Sequence, residues 1–134
     1  VLIHDAIRPM LLQEIITDNI RVCRKYGNAI TVVPCTAAML KTYDSISTEE
    51  QVARDNLKIT QTPQAFFIKD IVETHKEALE KKITNSVASC TLYIELGKKL
   101  YMSKGSEKNL KLTTTEDVEI FKALLQARKD EWMH

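Results

Sequence analysis

Asp5, Arg8 and Lys111 are the residues whose types and places could handle a phosphate. Asp5 follows Val1-Leu2-Ile3, an apolar run that reads as a short buried strand. In an open α/β sheet, ligands gather beyond the carboxyl ends of parallel strands. A carboxylate there can hold Mg²⁺ or accept a bond from a ligand hydroxyl. It can equally cap the next helix. Arg8 stands near the expected helix start, where free N–H groups and the dipole favour anions. Its guanidinium fork suits phosphate, though a solvated surface arginine reads the same way. An extended stretch over Asn109–Thr113 would put Asn109, Lys111 and Thr113 on one face. Asn and Lys side by side suit a phosphorylated ligand; solvated edge residues give the same pattern.

Other chemistries find little support. No Ser/His/Asp or Cys/His spacing points to a covalent nucleophile. His4 reads as a satisfied, partly buried histidine, His75 as mid-helix and His134 as the chain end. Cys23, Cys35 and Cys90 are odd in number and form no C-x-x-C pair, which argues against zinc and disulfides and fits a cytoplasmic protein. With 19 basic and 18 acidic residues, the net charge of +1 gives no footprint for nucleic acid or an anionic membrane. Trp132 and the tyrosines form no stacking platform. No run approaches the roughly 20 apolar residues of a membrane span.

The elements that must position these residues can be laid out from pattern. The 134 residues suit one domain, and 44% apolar content supports a core. Pro9 suits a first helical turn. Leu12, Ile16, Ile20 and Cys23 mark one face, and Gly27 a C-cap. Ala29–Val33 reads as a second buried strand, stopped by Pro34 and parallel to the first. The polar stretch 35–60 reads as a protruding arm, with a plain surface loop as the alternative. Thr62-Pro63-Gln64 marks a turn before a helix to Lys82, with Phe67, Ile71, His75 and Ala78-Leu79 on one face. Thr84 can cap a helix ending at Gly97, and Lys99–Met102 a short strand. Thr114 and Asp117 fit a capping box ahead of a last helix bearing Val118, Phe121 and Leu125. Val1-Leu2-Ile3 opens without a leading turn, so the chain reads as a piece of something larger.

Together these pieces resemble the 2-C-methyl-D-erythritol 4-phosphate and ribitol-5-phosphate cytidylyltransferases. The motifs are His4-Asp5-Ala6-x-Arg8-Pro9, Arg54, Thr62-Pro63-Gln64-x-Phe66, Gly105-Ser106-x-x-Asn109-x-Lys111-x-Thr113 and Thr115-Glu116-Asp117. Their order follows the family from Val1 to about Leu125. The resemblance implies an α/β, Rossmann-like, open and mainly parallel sheet with helices on both faces, a protruding β-arm and an absent N-terminal part. It implies that Asp5 binds Mg²⁺ and the reacting substrates, and that Arg8 contacts the sugar-alcohol phosphate. Arg54 would reach that phosphate in the partner's site from the arm at about 35–60, the family's dimerisation arm. Thr62 would hydrogen-bond the same substrate, and Lys111 would neutralise phosphate charge around CTP and the acceptor. The products would be a CDP-alcohol and pyrophosphate.

Three departures stand out. The family's Gly-rich CTP loop precedes the His-Asp strand and is not in this chain, leaving roughly 100 residues of a first βαβαβ half unaccounted for. This fragment alone is therefore expected to be inactive. The family's Asp-Thr past Pro34 is replaced by Ala37-Ala38, and its Thr-Asp by Thr84-Asn85. The stretch from Cys90 to Lys111 looks more like the relatives that make CDP-alditols. The competing reading is a non-catalytic relative kept as a dimerisation or regulatory module.

Overall fold

The computed structural model describes residues 1–133; His134 and the side chain of Trp132, read above, lie outside that description. The elements in chain order are β1 (Leu2–Ile3), α1 (Gln13–Tyr26), β2 (Asn28–Pro34), β3 (Met39–Lys41), β4 (Glu50–Val52), a 3₁₀ turn (Arg54–Asn56), β5 (Lys58–Phe66), α2 (Ile68–Glu80), α3 (Ser89–Glu95), β6 (Met102–Lys104) and α4 (Thr115–Met133). The main sheet has the order β1-β5-β2-β6. β2 and β6 pair in parallel, and β5 runs antiparallel to both β1 and β2. The first and second strands thus point the same way, as expected, but β5 lies between them. β1 is an edge strand with exposed residues, where the sequence suggested burial.

Alternation along β2 sorts the core into two layers. Ala29 packs with Val22 and Cys23 of α1 and with Ala65. Ile30 packs with Phe66, with Ile71 of α2, and with Cys90 and Tyr93 of α3. Helices therefore cover both faces. α1 begins four residues past Pro9, and its buried stripe is Ile15, Asn19, Val22 and Cys23, offset from the stripe expected. Asn19 is fully buried and its amide donates to Ala29 O, Thr31 Oγ1 and Ser103 Oγ, tying helix to sheet. An apolar stripe search passes over such a residue, because its burial is set by hydrogen bonds. Gly27 does end α1, at φ 106° with its N–H donating to Cys23 O. α2 starts at Ile68 and α3 at Ser89, both later than the sequence suggested, and α3 is capped through Thr91 Oγ1 on the Ala88 N–H. At α4 the expected capping box forms: Thr114 Oγ1 accepts the Asp117 N–H, and Asp117 accepts the N–H groups of Thr113 and Thr114. Val118 and Leu125 of α4 remain exposed, so this helix lacks the buried face expected of it. Among the described residues no helix is long and apolar enough to cross a membrane.

The polar stretch does form an arm, an antiparallel hairpin of β3 and β4 separate from the main sheet. Leu40, Tyr43 and Ile46 on it are exposed. Its tip is organised by Asp44, whose Oδ1 accepts the N–H groups of Ile46 and Ser47 at 2.9 and 2.8 Å. Asp44 Oδ2 accepts the Ser47 hydroxyl, and Thr42 donates to Oδ1. These donors, the Ser47 and Ile46 amides first, hold the Asp44 carboxyl far below the usual carboxylate range. The folded value is depressed, so the contribution is present above the unfolded value and fades only as pH falls through the folded one. The Ile46 and Ser47 amide resonances are therefore expected to hold steady across about pH 3 to 5, where an ordinary aspartate titrates. An inflection of both signals inside that window would contradict this account of the tip.

Candidate active site

The site forms where β5 leaves the regular ladder. On β2 the register advances from Ile30 to Val32 while on β5 it moves from Gln64 to Thr60. Gln61, Thr62 and Pro63 bulge out of the pairing, and the Thr62–Pro63 peptide bond is cis. Pro63 has no N–H to lose from the ladder, so a bulge accommodates it. The motif expected to be a turn is thus a mid-strand bulge. It carries Thr62 toward the end of β1.

There the first motif wraps around it. The Asp5 N–H donates to Thr62 Oγ1 at 2.9 Å, and His4 Nδ1 lies 2.9 Å from the same oxygen. His4 Nε2 is 3.1 Å from the Arg8 carbonyl. A carbonyl only accepts, so Nε2 carries a proton and donates to it. His4 is satisfied and partly buried, as expected. Arg8 Nε pairs with Asp5 Oδ2 at 3.1 Å, and Nη1 donates to the Asn109 carbonyl at 2.7 Å. The Arg8 side chain is only 11% exposed and that of Asp5 36%. The carboxylate therefore presents the more open edge of the pair.

The third motif closes the cluster. Gly105 donates its N–H to Val32 O, and a β-carbon there would meet Gln61 Oε1 at 2.5 Å, Thr31 Cγ2 at 2.9 Å and Val32 O at 3.0 Å. Gln61 Nε2 donates to Ser106 O, and Gln61 Oε1 accepts from Ser106 N and Asn109 Nδ2. The Leu112 N–H donates to Ile7 O, which lays the chain around Lys111 beside the first motif. Lys111 itself is exposed. The expected shared face is not there. Asn109 is fully buried, whereas Lys111 and Thr113 are exposed and Thr113 is bonded to Asp117.

Asp5, Arg8 and Thr62 are thus one hydrogen-bonded unit, with Lys111 on the adjoining segment. Arg54 is not part of it. Its Nη1 donates to Thr36 O at the base of the arm, beside a depression of about 390 Å³ that includes Asp55 and Lys58. Ala37 and Ala38 lie exposed nearby. Gln61 was not singled out from sequence, although an amide directly before Thr62-Pro63-Gln64 was available as the signal. An apolar cleft of about 470 Å³ between β2, β6 and α3 is lined by Ile30, Ile94, Leu100 and Met102, away from this cluster. As to a metal, Asp5 is a single carboxylate with an open edge, and no group of three or more His, Cys, Asp or Glu side chains converges among the described residues. That donor set fits Mg²⁺ held largely by substrate phosphates and water, its common arrangement.

The chain is similar to known proteins over nearly its whole length. A ribitol-5-phosphate cytidylyltransferase of Lacticaseibacillus paracasei is 35% identical over 131 residues, covering 96% of this chain and 56% of that protein. A 2-C-methyl-D-erythritol 4-phosphate cytidylyltransferase of Bacillus thuringiensis is 33% identical over 129 residues, with 96% and 56% covered. The crystal structure of the latter kind of enzyme from Thermus thermophilus superposes with a TM-score of 0.84 at 25% identity, covering 94% of this chain and 61% of that one. The chain therefore spans little more than half the length of these relatives. The family described as 2-C-methyl-D-erythritol 4-phosphate cytidylyltransferase matches residues 1–127, nearly the whole sequence, and the chain belongs to that family.

Proposed function

We propose that this chain is the acceptor-binding part of a CTP-dependent cytidylyltransferase that converts a sugar-alcohol phosphate to its CDP derivative. The observation that carries the reading is the single cluster of Asp5, Arg8 and Thr62 at the end of β1, with Lys111 alongside. In the reaction an oxygen of the acceptor phosphate attacks the α-phosphorus of CTP in line. The α–β phosphoanhydride bond breaks and pyrophosphate leaves with its electron pair. No covalent enzyme intermediate is needed, so the protein acts by positioning and charge. Arg8 and Thr62 bind the acceptor phosphate, Lys111 offsets charge between the two substrates, and Asp5 serves as protein ligand for Mg²⁺. The metal, when bound, supplies charge neutralisation on the nucleotide phosphates.

The stretch from Cys90 to Lys111, which resembles the relatives that make CDP-alditols, favours a pentitol phosphate as acceptor, while relatives of the two named activities are similarly identical, 32–35% against 33%. The exposed apolar side chains of the hairpin support its use as a dimerisation arm, which would offer Arg54 to a partner's acceptor site. Three free buried cysteines suit the cytoplasm. A second reading, a non-catalytic dimerisation module, is favoured by Ala37-Ala38 at the arm base. The intact enzyme, given CTP, Mg²⁺ and ribitol, methylerythritol, ribulose or glycerol phosphate, is expected to release pyrophosphate with one of them. Absence of both turnover and CTP binding would favour the module.

A further inference from the structure

We propose that Asn109 is a positioning residue, setting Arg8 and Thr62 at the separation the acceptor phosphate requires. This rests on the transferase reading above. Asn109 is fully buried and cannot meet a ligand, yet it joins both proposed phosphate contacts. Its Nδ2 donates to the Thr62 carbonyl at 2.8 Å and to Gln61 Oε1 at 3.2 Å. Its own carbonyl accepts Arg8 Nη1 at 2.7 Å, and its N–H donates to Ser106 O. The amide orientation is fixed, because a swapped amide would set its oxygen against two acceptors.

Asn109 Oδ1 is buried with no hydrogen-bond partner among the described residues. An apolar side chain of similar shape would take the donor away from the Thr62 carbonyl and Gln61 Oε1, so what the amide contributes is the position of those two groups. The donor side of the amide holds the bulge at Thr62 against the turn after Gly105. Among the described residues, the Arg8 side chain is attached to that turn through the Asn109 main chain. Moving the side chain's anchor therefore moves the guanidinium relative to the Thr62 hydroxyl. CTP contacts supplied by other parts of the enzyme would be untouched.

The test is steady-state kinetics on the intact enzyme with each substrate varied separately. Asn109→Ala is expected to raise KM for the alcohol phosphate about 10-fold or more, the scale of a misplaced charge-assisted hydrogen bond. KM for CTP should stay put. In an Arg8→Ala background the same change should add little, since both act on one contact. A purely structural role would lower Tm and the active fraction and leave both KM values alone, and that result overturns the proposal. So does a rise in both KM values together, or full additivity with Arg8→Ala. If Asn109→Ala does not fold, Asn109→Ser keeps one donor and should show an intermediate KM; a wild-type KM in that variant also overturns the proposal. A wild-type enzyme with no transferase activity sinks the functional reading and this inference with it, whereas normal turnover with an indifferent Asn109 sinks the inference alone.

Discussion

Asp5→Ala in the intact enzyme is expected to lower turnover by about 10²- to 10³-fold, the loss typical when one preorganised electrostatic group leaves an active site. Two consequences of the substitution act together. The open carboxylate at the end of β1 disappears, and Arg8 Nε loses its partner at 3.1 Å. Asp5→Asn separates them, because its amide oxygen can still accept from Arg8 while the charge is gone. If charge is what matters, the asparagine variant should be nearly as poor as the alanine one, and its half-saturating Mg²⁺ concentration should rise. Wild-type turnover in Asp5→Asn would mean that the carboxylate only holds Arg8, and the metal assignment would fall. Both proteins should keep the Asp5 main-chain bond to Thr62, so a comparison of thermal melts would expose any loss of fold.

Gly105→Ala should cost about 1–3 kcal/mol of stability, as overpacking of a well-filled site does. The β-carbon would press on Gln61 Oε1, the Thr31 methyl and the Val32 carbonyl. Gln61 is a long side chain, but it is buried and engaged with Ser106 and Asn109, so it cannot swing aside without breaking those bonds. Thr31 is fully buried beneath the bulge. The loop must then lift from β2, loosening the Gly105–Val32 bond and carrying the Lys111 segment with it. Urea unfolding measures the loss, with the slope unchanged if the denatured state is unaffected. A loss under about 0.5 kcal/mol, the range of ordinary surface changes, would show that the loop yields freely.

What could be read from the sequence is what local chemistry decides. Gly27 ends α1 because a left-handed residue is needed there, and Thr114 with Asp117 starts α4 by a short-range exchange of bonds. The run Ala29–Val33 before Pro34, rich in β-branched residues, made β2 plain. The motifs drew Asp5, Arg8, Thr62 and Lys111 together because their resemblance covers nearly the whole chain. What escaped depends on residues distant in sequence. Thr62-Pro63-Gln64 has turn chemistry, but pairing with β1 and β2 on either side keeps it in a strand and confines the irregularity to a bulge. Asn19 and Asn109 look like surface amides by type, yet both are buried because partners tens of residues away satisfy their donors. Pro9 is a sound helix start locally, but the Asp5–Arg8 turn and its ties to Thr62 and Asn109 hold the chain out of helix until Gln13.

The knot of bonds around the bulge also bears on how the molecule is made. Asp5 and Thr62 are 57 positions apart, Gln61 and Ser106 45, and Arg8 and Asn109 101. Contacts between such distant positions must wait for the intervening chain to be gathered in, since closing long loops is entropically uphill. The hairpin of β3 and β4 and the capped start of α4 need only neighbouring residues and can form early. The cluster of Asp5, Arg8 and Thr62 is therefore among the last parts to assemble and among the first to loosen under mild denaturant.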